Sequence, residues 1–130
     1  MGKQIALLDT SILIDFFRRT NKENSRFYLL SDKFDSFCIS VITEYEIFIG
    51  ATSTVQKDYW KEFLQKVTVI SLDSETVQAA ITLNEALKKA RKQIDSADLF
   101  IAATAIRNDL PLATLNFKHF DRISGLKVVE

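Results

Sequence analysis

The stretch at residues 5–11, IALLDTS, constrains the fold more than any other part of the sequence. It is a short and almost continuous apolar run, which is typical of a strand covered by helices on both faces of a parallel sheet. The run ends at Asp9, and two hydroxyl residues, Thr10 and Ser11, follow it directly. Open α/β sheets bind their ligands above the carboxyl ends of the strands. Asp9 therefore either belongs to a functional site or only ends the strand and caps the next helix.

Length and charge limit the classes of protein to consider. The 130 residues predict one domain, 1–130, with a sizeable core. Seventeen acidic and seventeen basic residues cancel, so no overall basic field indicates nucleic acid, although a basic rim around an acidic centre would also sum to zero. The single cysteine, Cys38, cannot form an internal disulfide, and neither a signal peptide nor a membrane span is visible. We expect a cytoplasmic protein that does not bind membranes.

Hydrophobic periodicity and the few turn residues predict strands alternating with helices. The predicted strands after the first are 37–40, 67–72, 110–115 and 128–129. The predicted helices are 11–19, 24–31, 41–50, 53–67, 73–92 and 94–108, and Thr10 or Ser11 is expected to cap the first. An aromatic stripe in helix 53–67 indicates either core packing or a partner surface.

Two acids, Glu44 and Glu46, lie in the predicted helix 41–50. Helical spacing places Glu46 on one face with Thr43, whereas Glu44 is turned away from it by about 200°. That face lies near the helix start, which adjoins a strand end. Glu46 is therefore the candidate for the cleft, and the alternative is a first-turn acid favoured by the helix dipole.

The predicted helix 94–108 is apolar nearly all round from Leu99 to Ile106, which indicates a helix buried in the domain. Its first turn nevertheless holds Asp95 and Asp98. Asp95 is a natural N-cap, and Asp98 could complete a variant of the capping box, a position that prefers Glu or Gln. Burying a carboxylate in the core is costly, so Asp98 is expected to face the cleft.

The last third of the chain supplies further polar candidates. Strand 110–115 would bring Thr114 and Asn116 beside Asp9 if the two strands are neighbours. His119 has no Ser or Cys partner in a motif, so we expect a residue that contacts substrate or is simply exposed. Basic residues that could guide an anionic substrate, or simply be solvated, are Arg18, Arg19, Lys22, Lys118 and Arg122.

Three segments together resemble the signature blocks of the PIN-domain family, most closely the VapC-type ribonuclease toxins of bacterial and archaeal toxin–antitoxin pairs. They are LLDTSILIDFF, SVITEYEIFIG and IDSADLFIAATAIRNDLPLATLNFKHFDRI. The resemblance covers essentially the whole chain and implies an α/β fold, a three-layer α/β/α sandwich with a mostly parallel central sheet. It also implies a metal-dependent endoribonuclease. The family's catalytic positions correspond to Asp9, Glu46, Asp98 and Asn116, with Thr114 supporting them.

The chemistry of clustered carboxylates agrees with that implication. Such groups repel one another and therefore share protons or hold a divalent cation. Oxygen ligands without His or Cys select Mg²⁺ or Mn²⁺, which can activate a water for attack on a phosphodiester. We expect Asp9, Glu46 and Asp98 to be the metal ligands, with Glu46 helping to orient the water. Asn116, where the family often has Asp, offers only a neutral oxygen and puts tight binding of a second metal in question.

The resemblance further implies an RNA substrate, a small antitoxin as protein partner and a homodimer. An alternative from another class is a PIN scaffold that binds RNA or protein without nuclease activity. A third hypothesis is a phosphatase-type hydrolase, because Asp9 ends a first strand. That class uses a second Asp two residues later, and this position is Ser11.

Overall fold

The computed structural model describes residues 4–129, in which strands and helices alternate. The strands are β1 (Ile5–Leu8), β2 (Ser36–Ser40), β3 (Thr68–Ile70), β4 (Leu112–Ala113) and β5 (Val128–Val129). The helices are α1 (Thr10–Arg18), α2 (Arg26–Leu30), α3 (Val41–Ile49), α4 (Thr54–Leu64), α5 (Ser74–Lys89), α6 (Ser96–Arg107) and α7 (Phe117–Phe120), with a 3₁₀ turn at Lys22–Asn24. Each predicted strand is present, and β3 and β4 are shorter than predicted. Within the described part of the chain, no helix is long and apolar enough to cross a bilayer.

The five strands form one sheet in the order β3-β2-β1-β4-β5, and every pair in it is parallel. The apolar strand β1 is central, between β2 and β4. The chain builds outward from β1 in one direction through β2 and β3, and later in the other through β4 and β5. The strand order therefore reverses at β1 and β4, and the crevice above their carboxyl ends is the usual ligand site of such sheets.

The strands bury both of their faces, because alternate side chains enter two separate cores. Leu7 and Leu112 contribute to one core, which α5 and α6 cover. Leu8 and Ala113 contribute to the other, which α1 to α4 cover. The predicted three-layer α/β/α sandwich with a parallel sheet is thus confirmed.

The aromatic stripe of α4 is part of the second core. Trp60 is 3% exposed, and its ring lies 5.2 Å from that of Phe17, centroid to centroid. Of the two interpretations of this stripe, core packing is therefore the one that the structure supports.

The first helix begins one residue earlier than predicted, at Thr10, and Asp9 occupies the N-cap position. The prediction that Thr10 or Ser11 caps this helix is wrong. The Asp9 side chain makes no capping hydrogen bond either, so all three polar side chains at the β1–α1 junction are available for other contacts.

Candidate active site

A cleft of about 780 Å³ opens at the carboxyl ends of β1 and β4. Its walls include all four side chains predicted to be catalytic, which are Asp9, Glu46, Asp98 and Asn116. They come from the β1–α1 junction, from α3, from the first turn of α6 and from the residue before α7. Folding therefore gathers the functional positions of three distant sequence segments around one opening.

Asp9 is held by two hydroxyl groups. Its side chain is nearly buried, at 2% exposure for the residue. Ser11 Oγ donates to Asp9 Oδ2 at 2.6 Å, and Thr114 Oγ1 donates to the same oxygen at 2.8 Å. Because both donors use Oδ2, Oδ1 receives neither of them. Asp9 is thus oriented by the fold while one of its oxygens is left for a ligand.

The same two hydroxyl groups tie the segment after β4 to the site. Leu115 donates its backbone N–H to Ser11 Oγ at 3.0 Å, and Asn116 donates its backbone N–H to Thr114 Oγ1 at 2.9 Å. The Asp9 backbone N–H donates to Ala113 O at 2.9 Å, which continues the pairing of β1 with β4. Thr114 therefore lies against Asp9 as predicted, and it also positions the backbone of Asn116.

Glu46 is oriented by Thr10. Thr10 Oγ1 donates to Glu46 Oε1 at 2.7 Å and lies 3.0 Å from Thr43 Oγ1, which is buried. Glu44 lines a different depression on the far side of α3, together with Tyr45. The prediction that Glu46 and not Glu44 faces the cleft is confirmed.

Asp98 is only 19% exposed at its side chain and lies near the other acids. Burial, together with the negative charges of Asp9 and Glu46, raises the pKa of Asp98 to about 6. His119 opposes this rise, with Nδ1 3.7 Å from Asp98 Oδ2. Asp98 is therefore an acid whose surroundings supply too little positive charge.

Asp95 occupies the N-cap position of α6, as predicted, but its side chain makes no capping hydrogen bond. The reciprocal bonds of a capping box between Asp95 and Asp98 are consequently absent, and that interpretation of Asp98 is wrong. The first turn of α6 directs Asp98 toward the cleft instead of using it to cap the helix.

The donor chemistry of the cleft fits a hard divalent cation. Its charged ligand candidates are carboxylate oxygens, and their mutual repulsion would be relieved by a positive ion. Within residues 4–129, no three His, Cys, Asp or Glu side chains form a ready cage for a metal. Mg²⁺ usually takes only one or two carboxylates and completes its shell with waters and substrate phosphates. The residues suited to hold such an ion are Asp9, Glu46 and Asp98.

Two contributors to the site were not recognised from the sequence, Thr10 and Ser11. They were considered as helix caps, because hydroxyl residues just after a strand usually have that role. The available signal was Asp9 itself, which is a good N-cap residue and, when placed there, leaves the next two side chains inside the first turn. Their hydroxyl groups then orient Glu46 and Asp9, respectively.

Four of the five basic residues predicted around the cleft divide into two groups, and the fifth, Lys118, is exposed and lines a separate depression with His119. Arg18 and Arg19 line the cleft at its far end. Lys22 donates to the carbonyl oxygens of Phe16 and Phe17. Arg122 likewise donates to the carbonyl oxygens of Lys118 and Lys92, so Lys22 and Arg122 are engaged in holding the fold together.

Comparison with known proteins identifies the family. The sequence profile of the PIN domain matches residues 6–126. Ribonuclease VapC1 of Methanocaldococcus jannaschii is 34% identical over 126 residues, covering 95% of this chain and 86% of that protein. Ribonuclease VapC10 of Mycobacterium tuberculosis is 30% identical over 122 residues, covering 93% and 90%.

Solved structures agree in fold. A toxin–antitoxin complex from Klebsiella pneumoniae contains a chain with a TM-score of 0.78 and 30% identity, with 96% of each chain covered. A DNA-bound VapBC complex from Salmonella typhimurium gives a TM-score of 0.85 at 21% identity, covering 98% of each chain. The profile match, the two VapC relatives and the shared fold lead to one conclusion: this chain belongs to the PIN-domain family, among its VapC-type members.

Proposed function

We propose that this protein is a Mg²⁺- or Mn²⁺-dependent endoribonuclease, the toxin of a toxin–antitoxin pair. The observation that carries the proposal is the convergence of Asp9, Glu46 and Asp98 on one cleft at the point where the strand order reverses. The VapC relatives are named ribonucleases, and the Klebsiella pneumoniae neighbour is a toxin–antitoxin complex. These names support an RNA substrate and a small antitoxin partner for this chain.

The residues of the cleft suit phosphodiester hydrolysis in separable ways. Asp9 is fixed by Ser11 and Thr114, so its free oxygen can serve as a ligand without reorganisation. Glu46 is held through Oε1 and can orient a water molecule with its other oxygen. A divalent cation bound by these carboxylates would supply Lewis-acid stabilisation of charge on the phosphate and activation of the attacking water.

Asp98 and Asn116 are the other two predicted residues that line the cleft. Asp98 is the acid with the raised pKa, and its ionised form would be favoured by a cation held in the cleft. Asn116 is exposed at the mouth, where its neutral amide can donate to or accept from substrate. The cleft therefore combines three charged ligands with one neutral group at its edge.

The deciding experiment compares two glutamates of the same helix. We expect Glu46→Gln and Asp98→Asn to lower the rate of RNA cleavage in Mg²⁺ by more than about 100-fold, because even residues outside the ligand shell cost 10- to 100-fold. Glu44→Gln removes an equal charge two residues away, on the face directed elsewhere, and should cleave like the parent. Cleavage by Asp98→Asn at the parent's rate, with contaminating nuclease excluded, would refute the proposal.

The assembly proposed with this function is a homodimer that binds its antitoxin in the cytoplasm. Large apolar side chains are exposed on two of the helices that cover the second core. They are Tyr28 and Leu29 of α2 and Tyr45 and Ile49 of α3, each between 47% and 63% exposed. Exposed apolar surface of this kind marks protein contacts.

A second candidate function is a PIN scaffold that binds RNA without cutting it. It is favoured by the neutral Asn116 and by the lack of a ready three-ligand cage within residues 4–129. Titration calorimetry with MnCl₂ separates the two candidates. Heat of binding that disappears in Asp98→Asn supports the nuclease, whereas RNA binding without any Mn²⁺ binding supports the scaffold.

A further inference from the structure

One side of the cleft is a face of α1 that changes in charge along its length. The residues of this face that line the cleft are Ser11, Ile14, Asp15 and Arg18, spaced by three or four as a single helix face requires. Ser11 lies beside the carboxylates and Arg18 lies in the last turn. Since an α-helix rises 1.5 Å per residue, Arg18 is roughly 10 Å farther along the cleft. About two helical turns therefore separate the backbone at Arg18 from the backbone at Ser11.

The cations at this far end are not equivalent. Arg19 also lines the cleft, but its Nε lies 2.9 Å from Asp15 Oδ1, so the pair is close to neutral. The ammonium group of Lys22 donates hydrogen bonds to the carbonyl oxygens of Phe16 and Phe17, in the last turn of α1. Among residues 4–129, no carboxylate lies within salt-bridge distance of Arg18.

The usual structural role of Arg18 is already filled by another residue. A cation in the last turn of a helix commonly interacts with the terminal carbonyls and the helix dipole. Lys22 provides that contact here, at 2.5 Å and 2.9 Å. The Arg18 side chain is exposed, and its fork of N–H donors matches the oxygens of a phosphate.

We propose that Arg18 binds a backbone phosphate of single-stranded RNA other than the phosphate being cut. This inference rests on the proposed nuclease function and adds a substrate-binding residue to it. The carboxylate end repels a polyanion, so an uncompensated cation farther along the cleft gives the strand an attachment point and a direction. Asn21 and Asn24 line the same end and offer amide donors to the sugar or base there.

The test compares Arg18→Ala with Lys127→Ala. Lys127 is exposed and precedes β5, at the amino end of the strands and away from the cleft, so both variants lose one positive charge. Cleavage of a mixed-sequence single-stranded RNA pool is measured in Mg²⁺ at several KCl concentrations. We expect Arg18→Ala to raise KM roughly threefold to tenfold and to keep kcat within twofold. Its log–log dependence on salt should be shallower by about 0.7, the value for one phosphate contact on a single strand.

Arg18→Lys keeps the positive charge but loses the planar fork of N–H donors. It should therefore show the parent's salt dependence and a KM close to that of the parent. Indistinguishable behaviour of Arg18→Ala and Lys127→Ala, in a parent that cuts RNA and is inactivated by Asp98→Asn, would overturn the inference and leave the nuclease standing. That result together with faster dissociation of the antitoxin from Arg18→Ala would assign this end of the cleft to the protein partner. A parent that does not cut RNA would overturn the nuclease and this inference with it.

Discussion

Asp9 and Asp98 face the same cleft but are held in opposite ways. Asp9 is at the junction of β1 and α1, is 2% exposed and accepts two hydroxyl hydrogen bonds at 2.6 Å and 2.8 Å. Asp98 lies in the first turn of a buried helix, has three acids nearby, and its nearest basic group is an imidazole nitrogen at 3.7 Å, which is charged only when protonated. The first carboxylate is stabilised by the fold itself, whereas the second is stabilised only when a cation is supplied.

This difference explains how an acidic site remains compatible with a stable fold. Buried charges are tolerated when they are hydrogen-bonded and are destabilising when they are not. The cleft orients one ligand in advance and leaves the negative charge of another unbalanced. A divalent ion bound here, as we propose, would meet one fixed carboxylate and relieve repulsion at a second one.

The largest effect is expected when a hydrogen-bond donor to Asp9 is removed. Thr114→Val keeps the shape of the side chain but leaves Asp9 Oδ2 with one hydroxyl donor fewer. We expect RNA cleavage to fall about 10- to 100-fold, as for other residues that orient metal ligands. The free energy of unfolding should fall by about 1 to 3 kcal/mol, because a buried acceptor loses a partner. Cleavage rates and urea denaturation measure the two effects.

Thr76→Val is the matched control for this variant. Thr76 is also buried and donates to an aspartate, with its Oγ1 2.7 Å from Asp73 Oδ1, but this aspartate is the N-cap of α5 and neither residue lines the cleft. It should lose stability and retain the parent's cleavage rate. Equal losses of activity in the two variants would show that Thr114 acts through general stability and not through Asp9.

The second prediction is that removing the charge of Asp98 stabilises the metal-free protein. Because the pKa of this group is about 6 in the folded protein and 3.8 ordinarily, its ionisation destabilises the fold. The destabilisation is absent below about pH 4, grows as the pH rises toward 6, and is complete above that. In EDTA at pH 7.5, Asp98→Asn should therefore be more stable than the parent by about 1 to 3 kcal/mol.

Urea denaturation of the parent and of Asp98→Asn at several pH values from about 4 to 8 tests this prediction, because the range covers both pKa values of Asp98. The stability gap between parent and Asp98→Asn should close as the pH falls. Asp95→Asn changes an exposed acid of the same helix start and should stay within about 0.5 kcal/mol of the parent. A parent more stable than Asp98→Asn at pH 7.5 without metal would contradict the account of Asp98 given above.

The features that were predictable from the sequence depend on local patterns. The apolar run before Asp9 indicated a strand buried on both faces, and the all-round apolar segment from Leu99 indicated a buried helix. The choice of Glu46 over Glu44 needed only the geometry of one helix. The resemblance then related these segments to a single site.

The features that were missed depend on contacts between distant parts of the chain. Thr114 was expected beside Asp9 on the condition that their strands are neighbours, which holds because Leu8 pairs with Ala113 in the sheet. The missed part is Ser11, whose hydroxyl group joins both of them. Residue patterns do not specify that register, so the shared hydroxyl network of Ser11 and Thr114 could not be derived. The approach of His119 to Asp98 likewise depends on where the short helix α7 packs.

The smallest expected effect is that of His119 on the pKa of Asp98. This residue is 54% exposed at its side chain and its Nδ1 lies 3.7 Å from Asp98 Oδ2, so the positive charge that it carries when protonated is largely screened by solvent. In metal-free protein, His119→Ala should raise the pKa of Asp98 by roughly a few tenths of a unit, because the one nearby charge that lowers it is lost. Carbon-detected NMR titration of the Asp98 carboxyl group measures the change.

Lys118→Ala, which removes an exposed cation from the same short helix, should leave the Asp98 titration unchanged. Added salt should reduce the difference between His119→Ala and the parent, since exposed charges are screened. If His119→Ala instead lowered the pKa of Asp98, desolvation by the imidazole ring would outweigh its charge. Asp98 would then lack even this weak compensation, and the contrast with Asp9 would be larger than the distances suggest.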